Sequence, residues 1–258
     1  MLLLLAQQTT GLSTACAPAF PTAFRRVLPH GSCIAVRVPS RLDDLLGLDE
    51  LHPAELAHAE TLRAPRQLSF VGGRLAMRRA LREAGVSADI HPVMPGSTGA
   101  PALPPGIVGS ISHTDGLAAA LLARRSECGG DACAVGIDVE LASRVPNRRM
   151  SDRVLAPEER EHWRALSLGL PAPAELLLRF SLKEALYKAL HPLVRSPIRW
   201  HAVRVRPRHG GGCDVELGAL EEEAGARIAA HAAWSREDEH FVTTARALLL
   251  PTETDEPL

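Results

Sequence analysis

The sequence predicts a protein of mixed helices and strands, built from two related halves packed face to face. Three observations lead there. Stretches alternating with period two are interleaved with stretches of helical period that open at proline and close at glycine. Three blocks occur twice in the same order: Ile34-Ala35-Val36-Arg37-Val38 with Val135-Gly136-Ile137-Asp138-Val139, Leu51-His52-Pro53-Ala54-Glu55 with Leu155-Ala156-Pro157-Glu158-Glu159, and the run from Phe70 to Leu81 with the run from Phe180 to Leu190. The composition, 46% hydrophobic and 23% charged over 258 residues, is that of a globular chain long enough to bury a sizeable core.

The elements follow in order. Residues 1–31 are low in charge, carry Pro18, Pro21 and Pro29, and read as mostly loop. Their apolar start, Met1 to Leu5, stops at Gln7-Gln8 and lacks a basic leader, which is too short for a signal peptide or a membrane span. Cys33 to Val38 reads as a strand. Pro53 opens a helix. A second helix runs from about Arg66 to Ala84 and stops at Gly85, a residue suited to the position after a helix end. Residues 92–106 are rich in Pro and Gly and read as loop. Ile107 to Ile111 forms a short strand ending in Ser112-His113, and Leu117 to Ala123 forms another, bracketed by Asp115-Gly116 and Gly129-Gly130. An acidic strand covers 134–140, followed by Arg144, Arg148, Arg149 and Arg153. Pro157 opens a helix, and 173–190 forms a longer one closed by His191-Pro192. In that helix Leu182, Leu186 and Leu190 make one buried stripe, with Ser181, Glu184 and Lys188 on the opposite side. Strands are expected at about 199–206, 213–217, 226–234 and 240–247, with a frayed polar tail from Pro251.

Composition also excludes. A formal net charge of −1 provides no global field for nucleic acid. The five cysteines, Cys16, Cys33, Cys128, Cys133 and Cys213, contain no CxxC pair, so they read as reduced thiols of a cytoplasmic protein without zinc or disulfides. No later run reaches membrane length.

The chemistry centres on Gly136-Ile137-Asp138-Val139-Glu140. In a strand Asp138 and Glu140 share a face, roughly 6–7 Å apart. Their repulsion is relieved by a hard cation such as Mg²⁺, which takes several oxygen ligands; the competing reading is an edge strand with a solvated acidic face. Glu184 offers a third carboxylate, or else an i, i+4 ion pair with Lys188. Gly109-Ser110-Ile111-Ser112-His113 ends a strand in groups able to meet a phosphate. The repeat sharpens this division. Where the second half has Asp138, Glu140, Glu184 and Lys188, the first has Arg37, Pro39, Arg74 and Arg78, so one half suits a metal and the other an anionic phosphate.

Together, Gly-Ser-Ile-Ser-His at 109–113, Gly-Ile-Asp-Val-Glu at 136–140 and Phe-Ser-Leu-Lys-Glu-Ala-Leu-Tyr-Lys at 180–188 resemble the 4′-phosphopantetheinyl transferases of the surfactin and enterobactin types, over about residues 30–250. The resemblance implies an α+β fold: a pseudo-twofold pair of half-domains with the active site between them. Residues 1–128 would form the side for the coenzyme A nucleotide and 3′-phosphate, and residues 129–258 the metal and catalytic side. It implies a monomer that moves the 4′-phosphopantetheine arm of coenzyme A to a serine of acyl or peptidyl carrier proteins, releasing adenosine 3′,5′-bisphosphate, and leaves open whether the carriers serve polyketide, non-ribosomal peptide or fatty-acid synthesis. On this reading Asp138, Glu140 and Glu184 hold Mg²⁺, and Glu184, Lys188 and His113 are catalytic. Arg66, Arg74, Arg78, Ser112, His113 and Lys188 bind coenzyme A. The serine proton goes to Glu184, or to a water held by Glu158 or Glu159. The family's basic residue before the Pro101 position is absent; Ser97-Thr98-Gly99-Ala100 precedes Pro101, leaving Arg63 or Arg66 to supply the contact. Two other functions compete: a metal-dependent phosphotransfer or pyrophosphate-cleaving enzyme acting on a free nucleotide, and a non-catalytic module that binds coenzyme A and docks carriers.

Overall fold

In the computed structural model the chain builds two antiparallel sheets, each with a long helix on its outer face. The structure describes residues 19–41, 48–87, 91–147, 149–165 and 168–251. The first sheet has the order β1-β2-β4-β3, from β1 (Thr22–Leu28), β2 (Gly31–Arg37), β3 (Ile107–Thr114) and β4 (Leu117–Arg124). Helices α1 (Pro53–Glu60) and α2 (Ala64–Glu83) cross between β2 and β3. A short α3 (Arg125–Cys128) leads into the second sheet, of order β5-β9-β8-β7-β6. Its strands are β5 (Cys133–Leu141), β6 (Arg204–Pro207), β7 (Gly212–Glu216), β8 (Ile228–Glu237) and β9 (His240–Leu249). Between β5 and β6 lie α4 (Met150–Val154), α5 (Pro157–Ala165) and α6 (Ala172–Val194); α7 (Gly218–Ala224) joins β7 to β8.

Strand alternation sorts the side chains into layers. Ile34, Val36, Ala118, Ala120 and Leu122 face α2 and pack on Leu75 and Met77. The intervening Cys33, Ala35, Ala119 and Leu121 face the other way, onto Val135, Ile137 and Val139 of β5. The two sheets therefore meet face to face, with α2 and α6 outside. On β5 the even positions, Gly136, Asp138 and Glu140, turn toward α6. Gly136 matters here: a Cβ at this position would stand 1.9 Å from the Ala185 carbonyl oxygen, so only glycine lets α6 lie this close to the sheet.

The two halves repeat a brace as well as a sequence. Glu55, fully buried, accepts the backbone N–H groups of His52 (3.0 Å) and Val93 (2.6 Å) and the guanidinium of Arg78 from α2. Glu159, also buried, accepts the N–H groups of Ala156 and Val205 (both 2.8 Å) and the ammonium of Lys183 from α6. By role, Arg78 corresponds to Lys183. The expected match of Arg78 with Lys188 is thus out of register.

Several expectations need correction. β1 is a strand rather than loop, because Pro21 and Pro29 flank it instead of interrupting it. Helix α6 continues through Pro192 to Val194 and ends where Arg195 turns left-handed, φ 53°. Proline there forfeits only one hydrogen bond, in a turn that is already ending. The last part of the chain also contains α7, and β6 starts only at Arg204. Cys33, Cys128, Cys133 and Cys213 are free thiols. Cys16, the N-terminal apolar run, Arg148 and the tail after Pro251 lie outside the described residues. Among the described residues no helix is long and apolar enough to cross a membrane.

Candidate active site

A cavity of about 750 Å³ opens between the halves. Its walls come from α2 (Arg66, Arg74), the loop at Thr98–Leu103, β3 (Ser110, His113), the start of β5 and the end of α6 (Tyr187, Lys188, His191).

Asp138 is the hub of the hydrogen bonds behind Lys188, a residue of the wall. It is buried, and its oxygens accept from three elements: Oδ1 from Ser112 Oγ (2.8 Å) and Lys188 Nζ (2.9 Å), and Oδ2 from Ser181 Oγ (2.8 Å). Lys188 also donates to Ser112 Oγ and to the Ile137 carbonyl, both at 2.9 Å. That carbonyl is free because β5 is the edge of its sheet. Lys188 thus brings its positive charge to the cleft with each of its three protons already directed at an acceptor. Ser112 and Lys188 come from different halves and meet on one carboxylate.

Glu140 and Glu184 stand near Asp138. Arg144 donates to both Glu140 oxygens, at 2.8 and 2.7 Å. Burial, and after it the charge of Asp138, still holds the Glu140 carboxyl above its usual value against the pull of Arg144. Glu184 is half-buried and has no hydrogen-bond or ion-pair partner among the described residues; burial first, then Asp138, raise its carboxyl too. Among the described residues no three Asp, Glu, His or Cys side chains form a ready cage for a metal ion. The donor set fits a hard cation nonetheless. It consists of carboxylate oxygens, although Lys188 and Arg144 already hold Asp138 and Glu140, which leaves Glu184 as the acid without a partner among the described residues.

The other wall is cationic. Arg66 donates to His113 Nε2 at 2.9 Å, which makes that nitrogen an acceptor and the ring neutral. Partial enclosure by the cleft walls, and then Arg66 and Lys188, hold the imidazole below its usual value. His113 enters the site as a neutral, hydrogen-bonding ring. Arg74 is 7% exposed, stacks 4.1 Å from the Phe70 ring centroid, and leaves Nε without a partner among the described residues. Burial lowers its guanidinium to about 10, so it stays charged at neutral pH.

The structure does not place all the predicted residues together. Arg78 is 1% exposed and donates to both oxygens of Glu55, at 2.6 and 3.1 Å. It belongs to the core brace and does not line the cleft, contrary to its expected contact with phosphate. Glu159 is likewise closed around Lys183, and Glu158 is exposed, 3.9 Å from Arg204. Of the two arginines considered in place of the missing basic residue, Arg66 lines the cavity and Arg63 does not. Ser181, assigned to the side away from the core, is fully buried against Asp138. Arg125 and Arg195 also line the cavity and carry no motif by which the sequence marks them.

Two family models match this chain: the 4′-phosphopantetheinyl transferase N-terminal domain over residues 53–123 and the 4′-phosphopantetheinyl transferase superfamily over 134–246. The chain belongs to the 4′-phosphopantetheinyl transferase superfamily. It is 37% identical to the 4′-phosphopantetheinyl transferase Svp of Streptomyces mobaraensis over 58% of each chain. It is 34% identical to enterobactin synthase component D of Salmonella typhi over 55% of this chain and 57% of that one. With the 4′-phosphopantetheinyl transferase PptT of Mycobacterium tuberculosis it shares 31% identity over 66% of this chain and 74% of that one. The chain spans about three fifths of the length of the first curated relatives it matches, 58, 57 and 61%.

Proposed function

We propose that this protein transfers the 4′-phosphopantetheine arm of coenzyme A to a serine hydroxyl of acyl or peptidyl carrier proteins, with Mg²⁺, releasing adenosine 3′,5′-bisphosphate. Residues 1–128 serve the nucleotide and 129–258 the metal and the chemistry, within a cytoplasmic monomer. The observation that carries this reading is Arg74: a buried, charged guanidinium on the wall of the cleft whose Nε has no partner among the described residues. An unpaired buried charge is costly, and a phosphate dianion relieves it. The names of the relatives supply the group transferred.

Phosphoryl transfer depends on positioning and charge neutralisation. Asp138, Glu140 and Glu184 would hold Mg²⁺, which supplies neutralisation of the pyrophosphate oxygens. Arg144 must leave Glu140 for that carboxylate to be free. Arg66 and Arg74 hold the 3′-phosphate, His113 hydrogen-bonds to it, and Lys188 places a positive charge beside the scissile phosphate with Ser112 next to it. Glu184, its carboxyl raised and unpartnered, accepts the serine proton.

The test is intact-mass spectrometry of apo carrier proteins incubated with coenzyme A and Mg²⁺. We expect a gain of one phosphopantetheine arm, abolished in Glu184→Gln at unchanged Tm. Hydrolysis of coenzyme A without a carrier would favour the nucleotide-cleaving alternative. Binding without any product would favour a docking module.

A further inference from the structure

We propose that Ser181 and Thr243 are positioning residues for the transfer: they fix one oxygen of Asp138 and thereby the plane of its carboxylate, which in turn holds Lys188 of the cleft wall. The inference rests on the transferase reading above and concerns residues that reading leaves without a role.

Asp138 is held from two sides of different character. On the cleft side are Ser112 and Lys188, whose side chain is 26% exposed and stands on the cavity wall. On the far side is Ser181 Oγ, 2.8 Å from Oδ2. Ser181 and Thr243 are both fully buried. Thr243 lies directly opposite Asp138 in the β5–β9 register. Its Oγ1 donates to the Ser181 carbonyl at 2.9 Å and stands 2.9 Å from Ser181 Oγ. With the threonine proton directed to that carbonyl, the serine proton goes to the stronger acceptor, the carboxylate. A serine inside a helix ordinarily bonds back to the carbonyl four residues earlier. Here it turns outward, because Gly136 lets α6 lie within reach of the aspartate. A carboxylate pinned through only one oxygen swings about its terminal torsion, which is broad and two-fold. Pinned through both, its plane is set. When ligand draws on Lys188 and Ser112, the buried hydroxyl is the anchor that stays.

The experiment compares Ser181→Ala, Thr243→Val and Thr243→Ser in the full chain. Four quantities are read: Tm, coenzyme A affinity by calorimetry without metal, Mg²⁺ half-saturation, and kcat and KM on an apo carrier. Ser181→Ala should lower kcat about tenfold to a hundredfold, the range for a hydrogen bond to a charged group. It should raise the Mg²⁺ half-saturation in parallel and leave metal-free coenzyme A affinity and both KM values within about twofold. Thr243→Val should follow it more weakly, and Thr243→Ser, which keeps the hydroxyl, should restore wild-type values. Should Ser181→Ala not fold, Ser181→Cys keeps the volume with a weak donor and carries the same comparison. A kcat and Mg²⁺ requirement unchanged in Ser181→Ala would overturn the proposal. So would losses in coenzyme A affinity and Tm that match the loss in kcat, since a merely structural hydroxyl predicts those. A wild type that modifies no carrier would instead sink the transferase reading, and this inference with it.

Discussion

One helical turn separates Arg74 from Arg78 on α2, and their surroundings divide them. Arg78 is saturated by Glu55, while Arg74 has a stacked ring behind it and open acceptor space in front. Removing either should therefore register in a different assay. Arg78→Ala strands a buried carboxylate and should cost about 3–5 kcal/mol of stability in a denaturant titration. Arg74→Ala should leave folding nearly unchanged and cost about 1.5–3 kcal/mol of coenzyme A binding, with much less lost for 3′-dephospho-coenzyme A. Equal losses for both substrates in a calorimetric comparison would remove the 3′-phosphate from Arg74. The sequence could not make this distinction: both arginines share a helix face, and the partner that absorbs one of them lies on another helix.

The approach of α6 to β5 depends on one missing methyl group. Gly136→Ala drives a Cβ into the Ala185 carbonyl, and the helix must lift. Overpacking of this kind costs about 1–3 kcal/mol. Because Ser181, Glu184 and Lys188 ride on α6, a shift of about 1 Å should also lower kcat by about a hundredfold. A variant of near wild-type kcat with lowered Tm would show that the helix position is not what sets the site. Much of this element layout was legible beforehand. Pro53 and Pro157 begin helices, Gly85 follows the end of one, alternation marked β5, and the Asp-Gly and Gly-Gly turn signals bracketed β4, because these signals act locally. β1 was missed because its flanking prolines looked like loop. Ser181 was misplaced because helical period sorts apolar residues and says nothing about a polar side chain that meets a buried acid. The acids and the Ser112-His113 corner were legible as types. Their holders, Arg144 on Glu140 and Lys183 on Glu159, required the tertiary structure.

At the scale of the molecule, the halves are stitched where the β1–β2 turn meets β8 and β9. His30, 5% exposed, places Nδ1 2.8 Å from Thr244 Oγ1 and Nε2 2.6 Å from His231 Nδ1, with Arg246 close by. Burial, then His231 and Arg246, lower its imidazole from 6.5 to about 4. The unfolded chain therefore takes up this proton first. The stability from keeping His30 neutral is complete above about pH 6.5 and drains away as pH falls toward 4, on the order of 3 kcal/mol at about 1.36 kcal/mol per unit. Tm measured from pH 7.5 to 4.5 should fall in the wild type, and His30→Gln should start lower but fall less; parallel curves would clear His30 of the effect. Each half owns a core of its own, one under α2 and one under α6, whereas the seam between the sheets is a third, separate apolar layer. The site is assembled only while Ser112, from across that seam, stands beside Asp138 and Lys188. A sub-global opening along the seam would thus abolish the proposed transfer while both halves kept their protected amides, so inactivation in mild denaturant should run ahead of the loss of hydrogen-exchange protection.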